Sequence, residues 1–321
     1  NVFQNRIYLS WTEFDQYGST STDHKSRILC SYSSDSANTF SHPVRVNDID
    51  GDARDNDNTV EGANTASLID GTLGIVWASE NKIWFDKSVD GGNTFGEDKI
   101  IATQNAGWNI KIPYVQRANA FPFIQSDGNN FYVVYGDSMF GDHDIFLIRS
   151  EDAGNTFSSP IRVHNDKPGN EKDQFFSHFM VDQESGYIYI VYYDRRASSH
   201  NLFMELWVSI SKDKGRTFND YKLNNGIISP AGSDVFFGDY NGIDVYKGRA
   251  SAVFTGLDEQ GDLAVYNVCF KEEDLLTNSN NKNYFGGFFN NKDSLLYVHF
   301  YTEIKGETHL RLINEDGDEI K

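Results

Sequence analysis

The sequence predicts an all-β protein assembled from repeated antiparallel sheets, and three observations carry that expectation. One eight-residue box recurs four times at near-constant spacing. The same strand-like segments flank each copy. The composition, 14% aromatic with 27 Gly, suits strands and turns, and helical periodicity is essentially absent.

The box reads S-x-D-x-(G/A)-x-T-F and occupies 33–40, 88–95, 150–157 and 211–218. Its acids, Asp35, Asp90, Asp152 and Asp213, lie 55, 62 and 61 residues apart. Ahead of each copy runs a strand-like segment (27–32, 82–87, 144–149, 206–210), and one strand further upstream sits another (7–11, 73–77, 131–135, 187–193). Short segments at 44–46, 99–101 and 161–163 follow three of the copies. Runs of this kind bounded by Gly, Asn, Asp and Ser read as strands. The box itself reads as a hairpin tip. Its Asp accepts backbone N–H bonds across the turn, its Ser and Thr hydroxyls cap that turn, its Gly tolerates positive φ, and its Phe turns inward between neighbouring sheets. All four box acids are therefore expected to be structural and remote from any ligand pocket.

The four copies resemble the Asp-box (BNR) repeats of the sialidase-like β-propellers. That resemblance implies a propeller of four-stranded blades over residues 1–272, five or six in number. A fifth blade without a box is expected from 235 to 270, with strands near 236–244, 249–254 and 263–270. The first blade lacks its innermost strand. The chain opens on Asn1 with no initiator Met and no signal peptide, as a clipped chain would, and a preceding segment is expected to supply the missing strand. Residues 273–291 read as a polar linker. Residues 292–321 resemble the first half of the C-terminal sorting domain of type nine secretion cargo of Bacteroidota, a β-sandwich, with a degenerate last blade as the alternative.

With 28 Lys+Arg against 47 Asp+Glu the formal net charge is −19, which disfavours nucleic acid and anionic membrane as partners. No run of about 18 apolar residues is present to span a bilayer. Cys30 and Cys269 fit no zinc site; they are either two buried thiols or a single bridge. A secreted or cell-surface location is expected, with a glycan or polysaccharide as ligand and secretion components meeting the C-terminal segment.

In a propeller the ligand mouth is built by the loops entering each inner strand and those joining second and third strands; the boxes lie at the opposite end. Loop 47–65 carries Asp48, Asp50, Asp52, Asp55 and Asp57, hard-oxygen ligands at a spacing that suits Ca²⁺; the alternative is a solvated acidic loop. Arg195 and Arg196 follow an aromatic strand and either clamp a substrate carboxylate or pair with Asp194. Asp173 leads toward His178, which is either an axial acid/base or a core histidine. Trp108 and Tyr114 either stack on sugar faces or plug a loop. Glu61, Asp137, His178, Asp239 and Tyr240 are the catalytic candidates, with Arg195, Arg196, Asp173 and Trp108 as substrate-binding ones. At least three of Glu61, Asp137, His178, Arg195 and Asp239 should line one axial pocket.

By resemblance, a sialidase needs three arginines on the substrate carboxylate, a Tyr–Glu nucleophile pair and an Asp acid. Its Arg-Ile-Pro motif is absent; Lys111-Ile112-Pro113 is the nearest string. Two readings follow. One is a glycoside hydrolase of sialidase-like, exo-acting type working by retention. The other is a non-catalytic propeller that holds a glycan or protein at the same mouth.

Overall fold

Each pair of apolar segments ahead of a box becomes the two middle strands of one antiparallel sheet. The computed structural model describes residues 2–3, 6–224, 228–230, 235–258, 262–277, 284–290 and 295–301. Blade one holds Arg6–Phe14, Lys25–Ser33 and Val44–Arg45, with Val2–Phe3 on its inner edge. Blade two runs Glu61–Ser67, Leu73–Ser79, Lys82–Ser88 and Lys99–Thr103. Blade three runs Phe123–Ser126, Phe131–Asp137, Asp144–Ser150 and Ile161–Arg162. Blade four runs Gln174–Val181, Ile188–Asp194, Glu205–Ser211 and Asn219–Lys222. Blade five has Gly242–Tyr246, Arg249–Leu257 and Leu263–Lys271. Strand order within each blade follows chain order, and the inner strands of successive blades lie side by side. This is a β-propeller.

The second strands explain their own sequences. Leu73–Ser79, Phe131–Asp137 and Ile188–Asp194 are buried at every residue. A neighbouring blade covers each face, so the usual alternation gives way to a continuous apolar run.

All four boxes form one and the same turn. The box Ser donates to the Asp Oδ1 at 2.7–2.9 Å. The Thr backbone N–H donates to that same oxygen at 2.9 Å, and the Thr hydroxyl donates to Oδ2 at 2.6–2.7 Å. Accepting from Thr39 holds the Asp35 carboxyl down at about 2, and Asp90, Asp152 and Asp213 lie as low. The turn also reaches backwards. A Cβ on Gly154 would meet Phe85 of blade two at 2.5 Å, and one on Gly215 would meet Leu147 of blade three at 2.7 Å. Phe157 packs edge-on against Phe85 with centroids 5.0 Å apart. Phe95 and Phe218 likewise join the apolar clusters of the preceding blades. The first box departs from the expected inward packing: Phe40 is exposed, and the glycine position is Ala37. Asp90→Ala is expected to cost about 1–3 kcal/mol in chemical denaturation, through four lost turn hydrogen bonds, and to leave ligand affinity unchanged.

Three expectations are corrected. The inner strand of blade five begins at Gly242, not near 236. Residues 273–291 are no plain linker: a helix spans Glu272–Thr277, and Tyr284–Asn290 is a strand that pairs with Leu295–Tyr301 and runs beside Leu263–Lys271. Both cysteines are free, with Cys30 buried and Cys269 exposed. The strand expected over 309–320 lies outside the described residues. Among the described residues no helix is long and apolar enough to cross a membrane.

Candidate active site

The mouth is organised by a segment with no counterpart in the other blades among the described residues. Between blades two and three, Asn109–Ile110 pairs with Ala118–Asn119 to make a short ribbon. Its apolar residues Ile110, Ile112, Val115 and Ala118 are buried in one cluster with Phe175, Tyr193 and Phe237 of blades four and five. Apolar burial thus draws the ribbon across the axis from one side of the ring toward the other. Trp108 is buried and stacked on Phe121 at 4.6 Å, so it plugs the loop and offers no face to a sugar. Against the ribbon, Ile110, Phe121, Phe175 and Tyr240 line a small cavity of about 10 Å³, room for about one water.

Several residues expected to do chemistry instead pin this ribbon. Asp137 is fully buried and accepts from the Asn105 side chain at 2.8 Å and from Ala106 N–H at 3.3 Å. Asp57 accepts from Asn109 N–H at 3.0 Å. Arg195 has no exposed side-chain surface; it donates to the carbonyls of Pro113 at 2.9 Å and Asn201 at 2.8 Å. Burial drops its pKa to about 10. A guanidinium sealed in this way cannot clamp a substrate carboxylate. Asp173 accepts from His143 N–H at 3.2 Å and from Asn201 at 2.6 Å, and so fixes the loops of blades three and four.

The other candidates also resolve. Arg196 pairs with buried Asp194 at 2.7 Å and Asp220 at 3.0 Å and lies 4.0 Å over the Trp207 ring, the pairing alternative. His178 is packed edge-on to Phe123 at 4.8 Å, and its Nδ1 accepts from Ile243 N–H at 3.4 Å. Burial lowers its pKa, so it is a neutral, half-buried packing histidine between blades three, four and five. The acidic loop does not converge on one point. Asp48 accepts from Asp98 N–H, Asp50 pairs with Arg45 and Arg27, and Asp52 accepts from Thr59 and Arg54 N–H. Asp55 and Asp57 point to different partners again. Among the described residues no three His, Cys, Asp or Glu side chains gather as a ligand set.

What the structure does bring together is Asp55 and Asp239 on Arg117, with Glu61 near enough to feel the charge of all three. Arg117 sits on the ribbon beside Ala118. Its Nη2 lies 3.6 Å from Asp55 Oδ1 and its Nε lies 3.5 Å from Asp239 Oδ1. The Tyr17 hydroxyl donates to Asp55 Oδ2 at 2.6 Å, and Asn119 ties the ribbon to the Asp239 carbonyl at 3.0 Å. Glu61 opens the inner strand of blade two, where the strand is bulged at Gly62. Gly62 has φ +78°, and a Cβ there would stand 2.4 Å from the Phe121 ring, so only glycine lets the strand deliver Glu61 to this point.

Burial acts on both Glu61 and Asp239. Burial pushes the Glu61 carboxyl up to about 7, and Asp55 and Asp239 push the same way while Arg117 opposes them. Its Oε2 is buried with no protein hydrogen-bond partner. Asp239 is raised by burial and held back by Arg117. Exposed Tyr240 stands at the edge of the group, its phenol raised by desolvation on its inward side and then by Asp239 and Glu61. Of the five residues expected to share one pocket, Asp239 pairs with Arg117 and Glu61 lies within reach of both charges; Asp137 and Arg195 are buried in other contacts, and His178 is half-buried against Phe123. Arg117 was missed because it lies in an irregular loop with no motif around it.

No protein-family model and no curated protein matches the chain. Solved structures do resemble it. An ulvan lyase of polysaccharide lyase family PL25, bound to -[GlcA(1-4)Rha3S]-, aligns over 84% of this chain and 65% of its own, with TM-score 0.52 and 10% identity. This chain therefore spans just under two thirds of that enzyme. A protein of unknown function from Dyadobacter fermentans DSM 18053 aligns over 92% and 90%, with TM-score 0.49 and 12% identity. The Hadza microbial sialidase Hz136 aligns over 76% and 52%, with TM-score 0.44 and 14% identity. At such identities the likeness to the lyase is one of fold.

Proposed function

We propose that this chain is a glycan-active propeller that hydrolyses glycosidic bonds at its mouth, with Glu61 as the general acid/base. The observation that carries the reading is the carboxylate cluster around Arg117. It holds two acids on Arg117 and a third, Glu61, raised by burial to about 7. Glycoside hydrolysis needs that division: one carboxyl protonated to assist the leaving oxygen, a second charged to act as nucleophile or base. Asp55 accepts from the Tyr17 hydroxyl and lies 3.6 Å from Arg117, and that placement makes it the natural second carboxylate. The glycan-active names among the structural neighbours are compatible with this reading.

The sialidase-specific version has less behind it. One arginine, Arg117, reaches the cluster, while Arg195 and Arg196 are committed to the protein. A non-catalytic binding propeller is the second reading, favoured by the ribbon that fills the axis. The Asp-box ancestry of the turns and export through the type nine system both rest on sequence resemblance and belong to the same proposal. The deciding experiment is a reducing-end release assay on neutral and acidic polysaccharides, run with the native protein and with Glu61→Gln. Release by the native protein that falls about 1,000-fold in the variant supports hydrolysis. No release from any substrate overturns it in favour of binding, and equal release by both proteins overturns the assignment of Glu61 as the acid/base.

A further inference from the structure

Two carboxyls outside the mouth cluster each keep one oxygen buried and unbonded. Asp86 stands on Lys82–Ser88, the third strand of blade two. Its strand neighbours turn to blade three, where Phe85 meets Phe131 at 5.8 Å and Lys87 donates to the Ala153 carbonyl at 2.7 Å. Alternation therefore turns Asp86 to the other face, toward blade one. Asp86 is 2% exposed; its Oδ1 accepts from Lys87 N–H at 2.6 Å and from Gly96 N–H at 3.1 Å, and its Oδ2 is buried with no protein hydrogen-bond partner. Asp98, two residues past Gly96, is arranged alike. Its Oδ2 accepts from Asp48 N–H at 2.8 Å, and its Oδ1 is buried with no protein hydrogen-bond partner. Asp98 N–H in turn donates to Asp48 Oδ2 at 3.0 Å. This reciprocal pair ties the 47–50 turn, which follows the outer strand of blade one, to blade two.

The charges that face the seam are mostly of one sign. Asp98 and Asp48 act on Asp86, and Asp48 acts on Asp98. Arg45 opposes them on Asp98, but its guanidinium also donates to the Asn47 and Asp48 carbonyls and pairs with Asp50 at 3.1 Å; Arg27 faces Asp50 too, at 3.7 Å. Lys87 and Lys99 send their ammonium groups to carbonyls of the third box. Burial, aided by the neighbouring acids and opposed by the N–H donors, raises both Asp86 and Asp98 from 3.8 to about 6. Carboxyls raised in this way contribute stability that is fully present below about pH 3.8 and is lost as pH rises through about 6. Among the described residues no three acids gather as a metal ligand set, which leaves the proton as the neutralising group.

We infer that Asp86 and Asp98 form an acid-held clasp between the outer edges of blades one and two: neutral, they let the 47–50 turn seat on blade two, and charged, they push it off. The inference stands on this seam and not on turnover at the mouth, although the same loop goes on to carry Asp55 and Glu61. The test is hydrogen–deuterium exchange at pH 5 and pH 8, corrected for intrinsic rates and run in Glu61→Gln so that the mouth carboxyl does not titrate. Protection of the segments 44–50 and 96–101 should fall about 10-fold or more between the two pH values, below the roughly 100-fold that two pH units allow for one fully buried group. Asp86→Asn, which keeps the shape and an acceptor oxygen, should cut that fall to about 3-fold, and Asp86→Asn with Asp98→Asn should abolish it. Equal protection of the parent protein at both pH values, or an undiminished fall in Asp86→Asn, overturns the inference. Recovery of protection at pH 8 on adding calcium chloride would make the seam a cation site and overturn the proton clasp.

Discussion

Replacing Glu61 with glutamine is expected to make the protein more stable at pH 8 while removing its turnover. The folded-state pKa of Glu61 is about 7 against an ordinary value of 4.5. A carboxyl raised in this way contributes stability that is fully present below about pH 4.5 and is lost as pH rises through about 7. Above that the carboxylate is buried and charged beside Asp55 and Asp239, and the native state carries a penalty of about 2–3 kcal/mol. Glutamine has nearly the same shape and no charge. Denaturant titrations of the two proteins should therefore differ by about that amount at pH 8 and hardly at all at pH 4. A difference that is the same at both pH values would mean that burial of a charge is not what Glu61 contributes. In the active protein the same titration sets the alkaline limb. Turnover that needs a protonated Glu61 should fall as pH passes about 7.

Arg117→Met should be almost as damaging, by a different route. Arg117 opposes the rise in the Glu61 pKa and is the ion-pair partner of Asp55 and Asp239. Without it, the three acids repel one another with no cation between them. The Glu61 pKa should climb further, moving the alkaline limb of kcat/KM up by roughly one pH unit. The nucleophile or base would lose the charge that positions it, and kcat/KM should drop about 100-fold or more. A variant with a normal pH profile and only a higher KM would reassign Arg117 to uniform substrate binding.

The boxes and strands were legible because turn chemistry and apolar periodicity are local, and a local signal repeated four times reinforces itself. The mouth was legible as a face and not as a site. Strand-end position places Asp137, Arg195 and Glu61 on one end of the ring, yet it does not say which side chains end beneath the ribbon and which above it. That depends on Ile110, Ile112, Val115 and Ala118 burying themselves on distant blades, a tertiary event with no periodic trace in 104–119. The acidic loop is ambiguous for a related reason. Alternating carboxylates look the same whether they face one cation or five separate donors, and here Tyr17, Arg27, Thr59, Asp98 and Asn109 supply the donors.

The backward reach of the boxes gives the ring a direction. Box two closes on blade one, box three on Phe85 of blade two, and box four on Leu147 of blade three. Arg6 reaches forward to the Gly91 carbonyl and Lys87 to that of Ala153, reinforcing the same seams. During synthesis a chain leaves the ribosome from its N-terminus, at roughly 5–20 residues per second. Each new blade therefore emerges to find the surface its box requires already made, and the order of translation matches the order of dependence. A circular permutant that begins at blade three would break this match. Its first box would wait, with an apolar ring exposed, for a partner blade not yet made.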